Sequence, residues 1–459
     1  MHQRTLTLKF FPVAWLTLLL LSAENSLAAP WRLQDELNNP HIILNGQSLL
    51  RFESLDGQYR SGRGDSEQML IIRHRLSAGI TLGHWSLVTE LMDARQRLAD
   101  SRSPISNGMV NTLEFVQTYV KYRGESVLAA GDSLDLKLGK QVMDLGGRRL
   151  IASTRFRGSD NAFSGLRADW RSAGGTQLSG LFFNPVHRRP SDRDALLDNQ
   201  RETDLILSGT RFYGASLKTS PFGEDIALEI TGLRLDENSS RRLPTAERDI
   251  TTFGGRLNYT PPSPFSLELE GYYQWGESKL SPTGSQLLDH RAWFGHVDIG
   301  WQFEAPMSPK ISLLYDYASG DKDPTDGQNN RFSSLYGVQP PDFGWTGIYG
   351  AFIRDNLKSA GIRLQLQPHK RFSVQATLRN MSLAASRDRW VKARLQDPSG
   401  AAGNNLGSQL NVKAVWKLIP GNLRLMLGYS QLFAGSYQRT LTGETFDTHY
   451  GFIETVVDF

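Results

Sequence analysis

The sequence predicts an all-β protein: a transmembrane antiparallel up-and-down β-barrel of about 18 strands, with short periplasmic turns and long extracellular loops. Three observations carry that prediction. Segments of about ten residues alternate between apolar and polar side chains. The connections between them alternate between short turns and long polar stretches. The chain is also polar overall yet rich in aromatics and glycine, with a mean hydropathy of -0.37, 10% Phe, Trp and Tyr, and 43 glycines. A membrane barrel, whose strands are only half apolar, has this composition.

The N-terminus places Arg4 and Lys9 before an apolar run from Phe10 to Leu21, and Ser26-Leu27-Ala28 supplies small residues for cleavage. Residues 1–28 therefore read as a secretory signal peptide, 29–40 as a short periplasmic segment and 41–459 as the barrel. The apolar run is too short to cross a membrane as a helix, and no later run is long enough. The chain has no cysteine, which excludes disulfides and thiolate metal sites and suits passage through an oxidising compartment. A net charge of +4 gives no argument for nucleic acid. With no phosphate loop and no metal-spaced histidine pair, no cofactor is expected.

Strands are expected at 41–55, 69–83, 84–97, 110–123, 131–143, 161–171, 176–185, 208–219, 223–235, 250–260, 264–277, 290–303, 309–319, 357–367, 371–381, 407–418, 422–433 and 448–459. Three show the alternation cleanly. Ile362, Leu364 and Leu366 alternate with Arg363, Gln365 and Gln367; Phe372, Val374, Ala376 and Leu378 with Ser373, Gln375, Thr377 and Arg379. Leu410, Val412, Ala414, Trp416 and Leu418 alternate with Asn411, Lys413, Val415 and Lys417. In a membrane barrel the apolar face meets lipid and the polar face lines the lumen. The last stretch, Tyr450 to Phe459, alternates too, and its terminal aromatic is expected to be read by barrel-assembly machinery before the final strand closes on the first.

Short connections such as Gly83-His84, Ala173-Gly174-Gly175, Pro261-Pro262-Ser263 and Pro420-Gly421 carry turn residues. The intervening ones, 56–68, 98–109, 144–160, 186–207, 236–249, 278–289, 320–356, 382–406 and 434–447, are long and polar. Trp85, Trp170, Tyr259, Trp275, Trp293, Trp301, Tyr315, Tyr317, Trp416 and Tyr429 fall near strand ends and read as interfacial girdles against lipid and lipopolysaccharide, with sugar stacking open to any that point inward.

Alternation sends Arg51, Arg73, Arg75, Lys137, Arg167, Arg171, Arg256, Arg363, Arg379, Lys413, Lys417 and Arg424 inward, together with Glu53, Asp169, Glu268, Glu270, Asp298, Asp316, Glu454 and Asp458. Strands 14 to 17, 1 and 2 are mostly basic and strands 11 to 13 mostly acidic. This suggests a field across a water-filled lumen, with a basic wall facing an acidic one and an anionic solute on the basic side. The alternative is that these charges pair and only satisfy a polar interior. Asp321, Asp323 and Asp326 form a weak candidate metal loop, but their spacing does not fit an EF-hand, and a solvated loop is the plainer expectation.

Two blocks then resemble a known family. Leu138-Gly-Lys-Gln141, Gly147-Arg-Arg-Leu-Ile151, Arg157 and Asn161-Ala-Phe-Ser-Gly165 form one. Tyr315-Asp-Tyr-Ala-Ser-Gly-Asp321, Asp323-Pro-Thr-Asp-Gly327, Arg331-Phe332, Leu335-Tyr-Gly337 and Gly347-Ile-Tyr-Gly350 form the other. Together they resemble alginate-export outer-membrane proteins over most of the chain after the leader. The resemblance implies a monomeric barrel whose electropositive lumen passes a polyuronate. It assigns Lys140, Gln141, Arg148, Arg149 and Arg157 to the lumen or its constriction. Lys140 stands where the family commonly has Arg, which keeps charge but loses a planar fork. Arg148 and Arg149 could instead meet lipopolysaccharide phosphates from an outer loop.

The expected function is an outer-membrane channel for passive transport of an anionic polysaccharide or related saccharide solute. A porin for small organic anions, narrowed by an inward-folded 320–356 loop, is the alternative. A barrel enzyme would need a nucleophile beside a histidine. Here His74, His84, His290 and His296 are scattered, and no catalytic residue is assigned.

Overall fold

The computed structural model describes residues 30–37, 39–62, 65–240, 243–340, 342–443 and 447–459, so the expected signal peptide lies outside the described residues. Among them, eighteen long strands form one antiparallel sheet. These are β1 (Ile42–Asp56), β2 (Ser66–Leu82), β3 (Trp85–Arg97), β4 (Asn111–Glu125), β5 (Ser133–Val142), β6 (Ala162–Arg171), β7 (Gln177–His187), β8 (Thr210–Thr219) and β9 (Ile226–Glu237). They continue as β10 (Asp249–Tyr259), β11 (Phe265–Ser278), β12 (Leu288–Gln302), β13 (Lys310–Ala318), β14 (Leu357–His369), β15 (Phe372–Ser382), β16 (Asn405–Ile419), β17 (Leu423–Ala434) and β18 (Thr448–Asp458). Each pairs with its sequence neighbours, and β18 pairs with β1 from Asp458 opposite Gln47 to His449 opposite Asp56. The ring is closed and leaves no edge.

The alternation works as a lipid-facing pattern. Leu138 is 63% exposed and Leu313 58%, whereas Arg379 is fully buried and Glu454 is 2% exposed. Such exposure of large apolar side chains suits hydrocarbon and not water. Trp85, Trp275, Trp293, Trp301, Tyr315 and Tyr429 are exposed on the outer wall. Among the described residues, no helix is long and apolar enough to cross a membrane.

Observed strand bounds differ from the expected ones by a few residues in both directions: β5, β8 and β13 are shorter, whereas β2 starts at Ser66 because its ladder with β1 continues to Asp56. A further short turn, between β4 and β5, is closed by Asp132, which accepts the N–H groups of Val127, Leu128 and Ala129.

The N-terminal segment, with α1 (Leu33–Leu37), lies on the rim where the barrel closes. Asn422 Oδ1 accepts the Trp31 N–H at 2.9 Å, and the Trp31 ring stacks on Phe459 with centroids 6.5 Å apart. The Phe459 ring fills the space that a side chain at Gly46 would need, since a Cβ there would stand 2.1 Å from a ring carbon.

The long loops do not stay outside. Leu150, Ile151 and Phe332 pack on Phe163, Phe183, Phe212 and Phe294 of β6, β7, β8 and β12. On the other side Met109, Phe156, Phe343, Ile348, Tyr349 and Trp390 pack on Leu49, Ile71, Met381 and Tyr450 of β1, β2, β15 and β18. The 320–356 loop is thus folded inward, with Glu53 accepting the Ile348 N–H at 2.8 Å. Its acidic part is only partly solvated. Asp323 and Asp326 cap their own turns near the surface, accepting the Thr325 and Gln328 N–H groups, whereas Asp321 is buried.

Candidate functional site

Inward parity on β11, β12 and β13 sends Glu268, Glu270, His296, Asp298 and Asp316 into the lumen. The loop after β5 brings Arg149 to them, at 2.6 Å from Glu268 and in direct contact with Glu270. The loop after β13 brings Asp342, which takes Arg149 Nε at 3.0 Å and also binds Arg354. Arg363 donates to Asp298 at 2.9 Å, Arg379 to Asp316 at 2.8 Å, and Arg256 to Glu268 at 3.0 Å. A buried charge is tolerated only with a partner, so these pairs also pin two loops inside the barrel.

This corrects the expectation of a basic wall facing an acidic one. β13 and β14 are direct neighbours in the ring. Arg363 and Arg379 therefore reach Asp298 and Asp316 and neutralise them, as attraction at hydrogen-bond distance dictates.

Most other expected cations are paired as well. Arg51 binds Glu53 at 2.8 Å and Glu454 at 3.0 Å, and Arg75 binds Asp160 at 2.5 Å. Lys140 binds Glu114 at 2.7 Å and Asp204 at 3.2 Å, and Arg167 binds Asp169 at 2.7 Å. Arg73 donates to the Arg157 carbonyl and to Gln47, and buried Gln141 contacts the Lys137 carbonyl at 3.4 Å. Arg149 is buried in the lumen, which removes it from any outer surface that could meet lipopolysaccharide.

What remains is a basic vestibule. Arg60, Arg157, Arg188, Lys392 and Arg394 come from four different loops to line a cavity of about 430 Å³. Its lining holds no carboxylate. Arg157 donates to Gln339 Oε1 at 3.2 Å, and Arg188 Nη1 is buried without a hydrogen-bond partner. Burial first, then Arg188, pushes Arg157 down to about 10. Burial, then Arg157 and Arg60, pushes Lys392 down to about 8. Both shifts express cations that an anion would relieve. Arg157 and Thr346 also line a second cavity of about 310 Å³, with Arg148, Arg155, Lys413 and Arg424 and the single carboxylate Glu454. Arg148 and Arg155 share Asp144, at 3.2 and 2.8 Å. The two cavities thus share Arg157 and Thr346 in their walls.

Of the residues expected at the site, Arg148, Arg157, Lys413 and Arg424 gather around this path, whereas most of the others serve as ion-paired frame and Arg73 and Gln141 bond neutral groups. Arg60, Arg188, Lys392 and Arg394 were not foreseen. One signal was available: Phe343, Trp345, Ile348, Tyr349 and Phe352 give the 320–356 loop more apolar bulk than a solvated loop carries.

Among the described residues, His296, Asp316 and Asp342 have a spacing that could hold a metal. They do not suit one, because Arg379, Arg149 and Arg354 already occupy the carboxylates. Asp321, Asp323 and Asp326 do not form such a group. His290 bonds Ser278 and Gln274, and His74 bonds Ser48 on the lipid-facing wall.

With the closed barrel and its basic lumen in view, sequence comparison decides the family. A family model for alginate export matches residues 43–452. The chain belongs to the alginate export family. No curated protein matches it. Among solved structures it is similar to OccK11 (OpdR) of Pseudomonas aeruginosa, at 14% identity and a TM-score of 0.52, covering 91% of this chain and 96% of that one. It is also similar to OccK2 (OpdF) of Pseudomonas aeruginosa in complex with glucuronate, at 12% identity and a TM-score of 0.55, covering 91% and 96%. A BenF-like porin from Pseudomonas fluorescens Pf-5 follows, at 11% identity and a TM-score of 0.56, covering 91% and 99%. These likenesses concern the fold. Family and fold together make this alginate export family member an outer-membrane channel.

Proposed function

We propose that this channel passes anionic saccharide solutes, uronates foremost, by passive flow past Arg157. The observation that carries the reading is the vestibule lined by five cations and no carboxylate, which shares the Arg157 wall with a second basic cavity. A carboxylate entering from either side exchanges water for guanidinium donors in a low-dielectric recess, where charge-assisted bonds are strong. Several successive cations keep binding shallow enough for release, as conduction requires. The solved complex of OccK2 with glucuronate supports a uronate as the test solute. No covalent step is involved, and a passive pore has no direction of its own. The inward-folded 320–356 loop, bonded to Glu53 and Arg149, favours a second reading in which only small organic anions fit.

Planar-bilayer recordings separate these. The expected result is an anion-selective reversal potential in a salt gradient and block by oligouronate, with Arg157→Gln reducing the anion-to-cation permeability ratio severalfold. Block by monomeric glucuronate but not by oligomers would favour the small-anion porin. Cation selectivity, or indifference to both, would overturn the proposal.

A further inference from the structure

We propose that the contact between the loop after β13 and the loop after β15 is a proton-operated latch that holds the basic vestibule assembled in acid and loosens it above neutral pH. The inference concerns regulation of the same site and rests on the reading that the vestibule takes anions.

The latch is built around Arg331. Its Nε donates to Asp388 Oδ2 at 2.9 Å, and its Nη2 contacts Asp388 Oδ1. Its Nε also lies 3.4 Å from Asp355 Oδ1. Asp321 joins the group through its N–H, which donates to Asp388 Oδ2 at 2.9 Å. One guanidinium therefore contacts two carboxylates, with a third, that of Asp321, nearby and not bonded to it. Asp321 is 2% exposed, and both of its oxygens are buried without a hydrogen-bond partner, as is Asp355 Oδ1. Arg389 and Lys392 also face Asp355, but Arg389 Nη2 is turned to the Leu280 carbonyl at 3.1 Å and Lys392 lines the vestibule. The charges facing Asp321 are Asp388, Asp326 and Arg331, with the Asp323 N–H nearby. A cavity of about 180 Å³ lined by Asp321, Arg331 and Asp388 gives protons access.

An excess of buried carboxylates over cations is relieved by protonation. Burial, and then Asp388, raises Asp321 to about 6. Burial raises Asp355 to about 7 against the opposing pull of Arg331. The sign follows from proton linkage. The docked loops hold the proton more tightly than undocked ones, so docking is strongest in acid and weakens as pH rises through the folded value near 7.

The loop so held carries Lys392 and Arg394, two of the five vestibule cations. Ionised Asp355 also draws on Lys392 electrostatically. Rising pH thus lowers the positive potential of the vestibule in two ways.

The chain has no cysteine, so Ala401→Cys gives one labelling site at an exposed position of the latched loop. A spin label there should be immobile at pH 5 and gain mobility by pH 8. In Asp355→Asn it should stay immobile throughout, because the amide mimics the protonated acid. Mobility that ignores pH in the parent, or an Asp355→Asn variant that follows the parent, would overturn the latch. If Asp355→Asn fails to fold, Asp321→Asn carries the same test and should reduce the pH-dependent gain. Bilayer recordings on the same samples keep the two readings apart. Absence of anion preference at every pH would sink the vestibule as an anion site, whereas the label alone decides the latch.

Discussion

Arg149 answers Glu268, Glu270 and Asp342 at once, while Arg157, eight residues on in the same loop, has among the described residues only Gln339 as a side-chain bond partner. The two arginines therefore have opposite expected roles. Removing one partner of a buried ion pair costs about 3–5 kcal/mol, because the partner charge is left desolvated. Arg149→Met should lower stability by that order, read as an earlier thermal shift of the folded band in gel migration. Arg149→Lys should recover only part of it, since an ammonium lacks the planar fork. Arg157→Gln removes a cation repelled by Arg188, so stability should hold while anion selectivity falls. If the Arg157 variant unfolded as readily as the Arg149 variant, the division between frame and path would be wrong.

At the scale of the element, each strand is specified by its own alternation and each short turn by its own Gly, Pro or Asp. The closing seam is different, because β1 and β18 meet only after the whole chain has been laid down. Gly46 is the point where this shows. The Phe459 ring lies over it and under Trp31, so a side chain at 46 competes with the terminal ring for one space. Gly46→Val should slow in vitro refolding into detergent and lower the melting point. Adding Phe459→Ala should relieve part of that loss, and no relief would show that the clash is not the cause. Lipid-face positions follow a simpler rule, as any strand with Leu or Ile at every second residue meets the hydrocarbon.

At the scale of the molecule, the barrel is a wall around packed loops rather than an open tube. Two apolar clusters and a network of buried pairs fill much of the lumen and leave two cavities walled in common by Arg157. Replacing 338–352 with a short Gly-Ser linker removes Phe343, Ile348, Tyr349 and Asp342 from that filling. Single-channel conductance should rise severalfold and ion selectivity should weaken. Unchanged conductance would mean that the narrowest point lies elsewhere.

The sequence by itself determined the wall: eighteen strands, their order, which residues face lipid, and that Arg363, Arg379 and Glu268 point inward. Those properties depend on alternation with a period of two and on turn residues a few positions away, so they are local and legible. Only the tertiary structure decided which inward charges are spent. Arg363 looked like part of an open basic wall until it was seen to reach across β13 and bind Asp298 of β12 at 2.9 Å. Likewise Arg60, Arg157, Arg188, Lys392 and Arg394 come from four loops scattered along the chain, and no spacing rule links them. Pairing energy falls off over a few ångströms, so whether a cation is neutralised or left for a solute depends on where the folded loops place its neighbours.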